Sequence, residues 1–489
     1  MHIGLWLTWP TWNSPPTPSI HLLDDDSLLH VFYLYRPFIL GEDQDEEDLL
    51  WGGDEGWASE NWWYMLAHVC QRWRKILLGS ASYLELSLVC TNGTPVADML
   101  AHSPPLPLLI DYRTGGITTE DEDGIILAFK QRDRVRRVSI QLFDTRPQKI
   151  IEAIEDEYPI LEYLLIGISN EIITTTFTFP ETLQAPHLRH LILEGFALPI
   201  GSRLLSTAVG LVTLFLNIDH ASSYFHPNTL LQWLSVMPLL ETLMIIFSLP
   251  LCDRDVARQL THTPIIMPVQ LPNLHRFTFQ GVSNYLEALL HRVTTPRLKR
   301  FEVTFFKQLT FSVPRLPQSI NATGNLRFDS AGVGFNNKEV VLAFSLGNDF
   351  DMFVVAIIVK CWHLDWQVSS IVQIFEFSSQ MFSALEHLTL KHEEHSLSSE
   401  EHNEVDRTEW RRLLSPFRNV KTLRIDDGLV ERISRCLQLE DGEHPLELLP
   451  ELQELRYSGS GDTGGAFASF ISARHNAGHP VNLVLDQDM

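Results

Sequence analysis

One apolar pattern recurs along most of this chain and constrains its fold more than any other feature. The pattern is apolar-x-x-apolar-x-apolar, in which the last two apolar positions alternate as in a half-buried strand. Successive copies begin 26, 27, 23, 29, 34 and 24 residues apart, and after a gap of 87 residues the intervals are 35 and 32. The copies are Val135/Val138/Ile140, Leu161/Leu164/Ile166, Leu188/Leu191/Leu193, Leu211/Leu214/Leu216, Leu240/Leu243/Ile245, Leu274/Phe277/Phe279, Leu298/Phe301/Val303, Leu385/Leu388/Leu390, Val420/Leu423/Ile425 and Leu452/Leu455/Tyr457. An array of repeats is therefore predicted from residue 135 onward.

Segments between the copies have apolar residues three and four positions apart, which predicts helices. Examples are residues 285–292, 403–414 and 428–437. A strand followed by a helix cannot bury its apolar face alone, whereas stacked neighbours form a continuous core and a parallel sheet. This rhythm resembles the leucine-rich repeat, whose units typically run about 20–29 residues. The predicted fold class of residues 135–489 is α/β, an irregular leucine-rich-repeat solenoid of parallel strands plus helices.

The interval of residues 304–384 departs from this template. Residues 340–344 and 353–359 have the apolar composition of buried strands. Degenerate repeats and an inserted β-rich element both fit this composition, and the sequence leaves the two alternatives open.

The residues before the array predict a small helical module. Residues 1–20 are rich in proline and are expected to form a disordered leader. Residues 21–36 and 62–78 predict two helices with apolar stripes. Between them, residues 37–61 form an acidic insert with six acids within 42–48. The module therefore spans residues 21–90, and residues 91–134 are predicted to be a linker and capping region.

This short all-α module resembles the F-box. The family pattern begins with Leu-Pro and an acidic residue, continues to Leu-Leu-x-Ile-Phe, and later carries Val-Cys-x-x-Trp-Arg. The first part is matched by Leu23, Asp26, Leu28, Leu29, Val31 and Phe32, and the second by residues 69–74, VCQRWR. Asp24 stands where the family usually has Pro, and Glu85 where it often has Trp. With the acidic insert, residues 90–95 (CTNGTP), residues 103–108 (SPPLPL) and the irregular repeats, the chain over residues 20–485 resembles the large F-box group of mushroom-forming fungi.

The resemblance implies a function without catalysis by this chain. An F-box docks on the Skp adaptor of a cullin–RING ubiquitin ligase, and the repeat domain holds a protein substrate close to the ligase. The adaptor-binding residues that it implies are Leu23, Leu28, Leu29, Phe32, Leu66, Val69, Cys70, Trp73, Ile76 and Leu77. Two alternatives are a protein-binding scaffold outside any ligase, with a divergent F-box, and a decayed family copy that has kept no partner.

In a repeat sheet, the positions between the apolar template residues are expected to be polar and to line the concave face, where the substrate would bind. The residues at these positions are Glu162, Arg189, Thr213, Thr242, His275, Lys299, Glu386, Lys421 and Gln453. A dense basic cluster lies just before them, at Arg132, Arg134, Arg136 and Arg137. Arg134 and Arg136 are predicted to share one face of the first repeat strand, where they would bind a substrate or the acidic insert, or be simply solvated.

Composition excludes several other classes of protein. The chain has 37 Lys and Arg against 61 Asp and Glu, a net charge of −24, which disfavours binding to nucleic acid or to an anionic membrane surface. Its five Cys are odd in number and lack a C-x-x-C spacing, which argues against a disulfide framework and a Cys-rich zinc module. No apolar run approaches the ~20 residues that span a bilayer. A cytoplasmic or nuclear protein, not a secreted one, is expected.

Two further motifs suggest chemistry. Residues 459–464, GSGDTG, match G-x-G-x-x-G between a strand-like and a helix-like segment, as in a dinucleotide site. No further βα units follow the strand-like residues 481–485, which favours a glycine-rich loop over a cofactor-using enzyme. His387, His392, His395 and His402 lie among glutamates, but His392 and His395 are one residue too close for the H-E-x-x-H zinc spacing. No cofactor and no metal are therefore predicted.

Overall fold

A computed structural model describes most of the chain. The described residues are 20–36, 60–143, 147–169, 177–219, 223–249, 268–308, 310–347, 353–377, 381–392, 405–440, 442–458 and 463–485. The chain divides into two compact units, unit 1 (Met1–Arg136) and unit 2 (Arg137–Met489). The predicted leader up to residue 19 and residues 37–59 of the acidic insert lie outside the described residues.

Unit 1 combines short helices with one parallel pair of strands in its described residues. The helices are α1 (Asp25–Tyr35), α2 (Trp62–Ala67), α3 (Gln71–Gly79), α4 (Val96–His102) and α5 (Thr119–Phe129), and the strands are β1 (Leu88–Cys90) and β2 (Leu108–Tyr112). The strands pair from Leu88↔Leu108 to Cys90↔Ile110. Residues 91–134, predicted to be a linker and capping region, therefore contain regular structure of their own.

The single helix predicted over residues 62–78 is wrong, because α2 and α3 are separated at Cys70. Cys70 has an extended backbone, with φ −161° and ψ 168°. Its Sγ accepts the backbone N–H of Trp73 at 3.5 Å and so starts α3. A thiol can act as a weak N-cap acceptor in this way, although the apolar spacing alone runs on through the break.

Unit 2 alternates strands with helices. Its strands are β3 (Val135–Phe143, beginning two residues before the unit boundary), β4 (Tyr163–Ser169), β5 (Phe177–Thr178), β6 (His190–Glu194), β7 (Phe196–Ala197), β8 (Thr213–Ile218), β9 (Thr242–Phe247), β10 (Val269–Gln270), β11 (Arg276–Gly281), β12 (Val293–Thr294), β13 (Arg300–Phe306), β14 (Ser330–Phe335), β15 (Glu339–Ser345), β16 (Phe353–Lys360), β17 (His387–His392), β18 (Thr422–Ile425), β19 (Glu454–Tyr457) and β20 (Asn482–Leu485). Its helices are α6 (Gln148–Ala153), α7 (Arg203–Thr207), α8 (Pro227–Leu234), α9 (Ser283–Leu290), α10 (Arg315–Ala322), α11 (Leu364–Phe375), α12 (Arg407–Leu414), α13 (Asp427–Leu437) and α14 (Ala468–Asn476). The predicted helices over 285–292, 403–414 and 428–437 correspond to α9, α12 and α13.

The strands of unit 2 form a large, mostly parallel sheet in the order β3-β4-β6-β8-β9-β11-β13-β16-β15-β14-β17-β18-β19-β20. Template copies pair in register, with their second apolar positions opposite one another. These pairs are Val138↔Leu164, Leu164↔Leu191, Leu191↔Leu214, Leu214↔Leu243, Leu243↔Phe277, Phe277↔Phe301, Leu388↔Leu423 and Leu423↔Leu455. The second and third template positions point to one side of each strand, where they are buried. The predicted α/β class is confirmed.

The irregular interval of residues 304–384 contains an inserted meander. β14 and β15 pair antiparallel, as do β15 and β16. β16 pairs in parallel with β13, and β14 pairs in parallel with β17. The two segments predicted as buried strands are thus β15 and β16, and the reversed direction of β15 favours an inserted element over degenerate repeats.

The last helix, α14, is held by a buried arginine. The Arg474 side chain is 0% exposed, and its guanidinium donates to the carbonyl oxygens of Leu449 (3.2 Å), Pro450 (3.0 Å) and Leu452 (3.0 Å). These bonds tie α14 to the segment that leads into β19.

Nowhere in the described parts of the chain is a helix both long and apolar enough to cross a bilayer.

Candidate functional site

Four of the residues that the F-box resemblance assigned to adaptor contact lie in the interior of unit 1. Leu28 and Phe32 lie one turn apart on α1, and Trp73 and Leu77 lie one turn apart on α3. All four are at most 9% exposed, and the rings of Phe32 and Trp73 meet edge to face at 5.0 Å between centroids. Their assignment to a contact surface is corrected, because these side chains are buried in unit 1, where Phe32 of α1 packs on Trp73 of α3.

The other assigned residues have more accessible side chains. Leu23 and Val69 are exposed, at 38% and 56% of their surface. The half-buried members are Leu29, Leu66, Cys70 and Ile76. A partner that docks on this module can therefore reach these six residues.

Besides Leu23 and Val69, unit 1 exposes apolar side chains that the F-box resemblance did not assign to adaptor contact. The large apolar side chains exposed between residues 20 and 83 are Ile20, Leu22, Leu23, Val31, Tyr33, Leu34, Tyr35, Tyr64, Met65, Val69 and Tyr83. They make up 11 of the 21 such side chains in the described parts of the chain. Apolar side chains left exposed in such numbers commonly mark an interaction site. The sequence of α1 could have indicated these exposed side chains, because this helix has more apolar residues than one buried face requires.

Polar contacts fix the geometry beside these side chains. The Asp24 carboxylate accepts the Ser27 N–H at 2.7 Å, which caps α1 and holds the pKa of Asp24 below its ordinary value. Arg72 on α3 donates to Asp25 Oδ1 (2.8 Å) and to the Leu23 carbonyl (2.6 Å). Arg36 at the end of α1 pairs with Glu85. The two departures from the F-box pattern, Asp24 and Glu85, thus have structural roles in unit 1.

The residues predicted to bind substrate lie at the amino-terminal ends of the strands in unit 2. Thr213 and Thr242 are the first residues of β8 and β9, on the face opposite the template residues. Thr242 is only 4% exposed, so its assignment to the substrate-binding surface is corrected. The other seven residues each come directly before a strand, as Arg189 comes before β6. These seven are Glu162, Arg189, His275, Lys299, Glu386, Lys421 and Gln453.

A backbone ladder aligns these positions. The Glu162 carbonyl accepts the N–H groups of both Arg189 (2.9 Å) and His190 (3.1 Å), and the Arg189 carbonyl accepts those of Val212 and Thr213. The same double acceptance recurs at His275, Glu386 and Lys421. The side chains at these positions are therefore presented one repeat apart along one edge of the sheet.

The sheet face opposite the template residues is more apolar than predicted. Leu165, Ile192, Phe215 and Met244 occupy paired positions on β4, β6, β8 and β9. Each is 2–6% exposed. The expectation that the in-between positions are polar therefore fails at the centre of these strands and holds at their starts.

One histidine on this face has a strongly lowered pKa. His190 Nδ1 lies 3.1 Å from Thr213 Oγ1, and its ring lies 5.9 Å from that of Tyr163. Burial, followed by the nearby Arg189 and Arg137, lowers the pKa of His190 to about 4. The structure thus brings together Arg189 and Thr213, which were predicted, with His190, which was not.

Farther along the same strand, Glu194 also has a shifted pKa. Burial and the neighbouring Asp219 raise the pKa of the Glu194 carboxyl above its ordinary value, against a hydrogen bond from Gln141 that lowers it.

The basic cluster is only partly as predicted. Residues Arg132–Arg134 form a 3₁₀ turn, so Arg134 precedes the strand instead of lying on its face. The Arg134 guanidinium donates to the carbonyls of Leu106 (3.0 Å) and Pro104 (3.2 Å). Arg134 therefore has a structural role within unit 1, and the prediction that it shares a strand face with Arg136 is wrong.

The motifs that could carry chemistry fall partly outside the described residues. Residues 459–462 of the glycine-rich motif, and also His395 and His402, are outside. The motif is followed by a 3₁₀ turn (Thr463–Phe467), α14 and β20. His387 and His392 are the first and last residues of β17. Three or more potential metal ligands do not come together anywhere among the described side chains.

No protein-family model matches the chain, and no curated protein matches it. Proposals about function therefore depend on the surfaces described above.

Proposed function

We propose that this chain is the substrate-recognition subunit of a Skp–cullin–F-box ubiquitin ligase. Unit 1 would dock on a Skp-type adaptor, and unit 2, as a leucine-rich-repeat solenoid, would hold a protein substrate. The chain itself would catalyse no reaction, and its contribution would be to raise the local concentration of the substrate beside the ligase. Such a subunit would work in the cytoplasm or the nucleus.

The exposed apolar surface of unit 1 is the observation that carries this proposal. Leaving side chains such as Met65 (75% exposed) and Val69 (56% exposed) in water forgoes stabilisation of roughly 25 cal/mol per Å² of apolar area. A docking partner that covers them recovers this free energy. Phe32 and Trp73, which are buried against each other, would not take part in the contact.

The edge of the sheet in unit 2 suits the binding of a protein substrate. Its side chains are held at regular spacing by the backbone ladder at Glu162, Arg189 and His275. They include both signs of charge, so a protein surface can be discriminated by charge pattern as well as by shape.

The direct test is co-purification of the full-length chain with a Skp adaptor. Met65→Asp combined with Val69→Asp places one carboxylate on α2 and one just after it, both at exposed positions, without touching the interior. Recovery of the adaptor should fall by at least about tenfold, because burying charges in an apolar contact is costly. The matched control is Ile200→Asp with Leu239→Asp in unit 2, which are 76% and 50% exposed.

Each outcome of this experiment is informative. Loss of the adaptor only in the unit 1 variant supports the ligase subunit. Failure of the well-folded wild-type chain to recover any adaptor would contradict it and would leave a protein-binding scaffold outside a ligase. Equal loss in both variants would mean that the exposed surface of unit 1 is not the docking site.

A further inference from the structure

The meander inserted in unit 2 brings several connections to one edge of the sheet. β13 and β16 run in parallel with Phe306 opposite Lys360, so their carboxyl ends meet there. Lys307 follows β13, and Trp362 and His363 lie between β16 and α11. Trp362 is 75% exposed, more than any other aromatic side chain in the described parts of the chain, and Trp366 on α11 is 39% exposed. Lys307, Lys360, Trp362, His363 and Trp366 are called the Trp362 surface below.

The Trp362 surface is supported from beneath. The buried side-chain amide of Gln367 donates to the carbonyls of Asn336 (2.7 Å) and Cys361 (2.8 Å). These bonds tie the turn between β14 and β15 to the connection that carries Trp362. Groups held in place before binding lose less conformational entropy when a partner arrives.

The polar side chains of the Trp362 surface are oriented as well. The rings of His363 and Trp366 meet edge to face at 4.5 Å between centroids, and Lys307 Nζ lies over the Trp366 ring. Lys360 Nζ donates to Gln280 Oε1 at 2.9 Å.

Among the described residues of the Trp362 surface and of the turn between β14 and β15, the exposed charged side chains are all positive. Lys307, Lys338 and Lys360 are exposed. The neighbouring acids, Glu339 and Asp365, are half-buried; Glu339 is the strand partner of Lys360, and Asp365 accepts the Trp366 N–H at 2.8 Å. In a chain of net charge −24, this places exposed ammonium groups beside exposed indole rings. Charge complementarity therefore selects an acidic partner.

We infer that the Trp362 surface docks an acidic peptide segment of a protein partner, with a large apolar residue of that segment packed on the Trp362 indole. Trp is enriched among the residues that dominate binding energy, and exposed ammonium groups at the rim favour carboxylates by long-range attraction. The identification of this partner as a ubiquitination substrate rests on the proposed function. The binding itself does not.

Selection from a random dodecapeptide phage library on the immobilised full-length chain tests this inference. Enriched peptides should contain an excess of Asp and Glu and at least one large apolar residue. A fluorescent synthetic copy of an enriched peptide should bind the wild type and lose about tenfold or more in affinity with Trp362→Ser, as for a central interface aromatic. Lys307→Glu should weaken the same peptide, and raised salt should do so in the wild type.

Matched controls separate the Trp362 surface from exposed apolar residues in general. Leu346→Ser removes a side chain that is 67% exposed at the other edge of the same meander, and it should leave peptide affinity unchanged. Enrichment without an acidic excess, or equal binding to the wild type and Trp362→Ser, would overturn the inference. Adaptor co-purification with Trp362→Ser gives an independent readout, because the proposed function fails if the wild type recovers no adaptor, whether or not peptides bind.

Discussion

The two units of this chain treat their apolar residues differently. Unit 1 leaves side chains such as Leu34 (65% exposed) and Met65 (75% exposed) in water beside a small interior. Unit 2 buries its template residues almost completely, as at Leu214 (0% exposed) and Leu243 (2% exposed). Both units have sequences rich in apolar residues, so composition alone does not separate an interior from a docking surface.

The difference follows from the number of neighbours that each element has. A template residue in the middle of the sheet is covered by the same position on the strands to either side, as Leu243 is flanked by Leu214 and Phe277. The helix α1 in unit 1 buries Leu28 and Phe32 but exposes Val31 and Leu34 on its other side. A helix that is apolar around much of its circumference needs a further partner, whereas a repeat strand finds its partners in the same chain.

The largest effect is expected from truncating a template residue. Leu243→Ala should lower the free energy of unfolding of unit 2 by about 2–5 kcal/mol, because it removes buried apolar area and leaves a cavity. Leu239→Ala, four residues earlier at a position 50% exposed, should change it by less than about 0.5 kcal/mol. Urea denaturation followed by far-ultraviolet circular dichroism measures both. Equal costs would mean that the repeat register assigns these residues to the wrong faces.

The parts of the fold that were predictable are those with a fixed period. The spacing of Leu188, Leu191 and Leu193 specifies a strand because only a strand places the last two on one side, and the next copy pairs with it in register. The reversed strand β15 was not predictable, because its alternating apolar residues look the same in either direction. The break at Cys70 was missed because capping by a thiol has no marked sequence signature.

An intermediate effect is expected from pH at His190. Its pKa of about 4 lies below the ordinary value of 6.5, so between these pH values the unfolded chain binds a proton that the folded chain does not. Protonation of His190 therefore does not lower the free energy of unfolding above pH 6.5. As pH falls from 6.5 towards 4, the free energy of unfolding decreases, with a slope of up to about 1.4 kcal/mol per pH unit. Over the full interval the loss approaches about 3 kcal/mol, and it should be confined to unit 2.

His190→Gln isolates this contribution, because an amide can still bond to Thr213 but does not titrate. The stability difference between the wild type and the variant, from urea midpoints at pH 7, 5.5 and 4.5, should shrink or reverse towards low pH. Glu194 has a raised pKa, so its protonation favours the folded chain as pH falls and opposes His190. Comparison with the variant cancels that opposing change. A difference independent of pH would show that His190 is not excluded from water as the fold indicates.

The candidate sites were less predictable than the fold, for a reason visible in both units. The F-box spacing identifies Leu28, Phe32 and Trp73, but the same spacing suits an interior, and that is where they lie. The exposure of the Met65 side chain depends on which residues surround α2, and no local sequence pattern predicts those surroundings. In unit 2, the positions of Thr213 and Arg189 follow from the repeat, whereas the burial of His190 depends on neighbours from adjacent repeats.

The smallest effect is expected at a helix cap in unit 1, where local bonds supplement a limited interior. Thr118 Oγ1 accepts the Asp121 N–H at 3.1 Å, and Asp121 Oδ2 accepts the Thr118 N–H at 3.1 Å, which together cap α5. Asp121 Oδ1 also accepts the Gly93 N–H at 2.8 Å, which ties α5 to the loop after β1. Thr118→Ala should cost about 1 kcal/mol, since the first turn of α5 loses an acceptor.

Hydrogen exchange followed by mass spectrometry places that cost in the molecule. Protection should fall by about fivefold in residues 119–129 and stay unchanged in α9 of unit 2, because about 1 kcal/mol corresponds to that ratio. Thr119→Ala, at the neighbouring exposed position, is the matched control and should leave both segments unchanged. If Thr118→Ala instead lowers protection in both units alike, the two units unfold together, and the contrast between a locally stabilised unit 1 and a sheet stabilised by repetition in unit 2 does not hold.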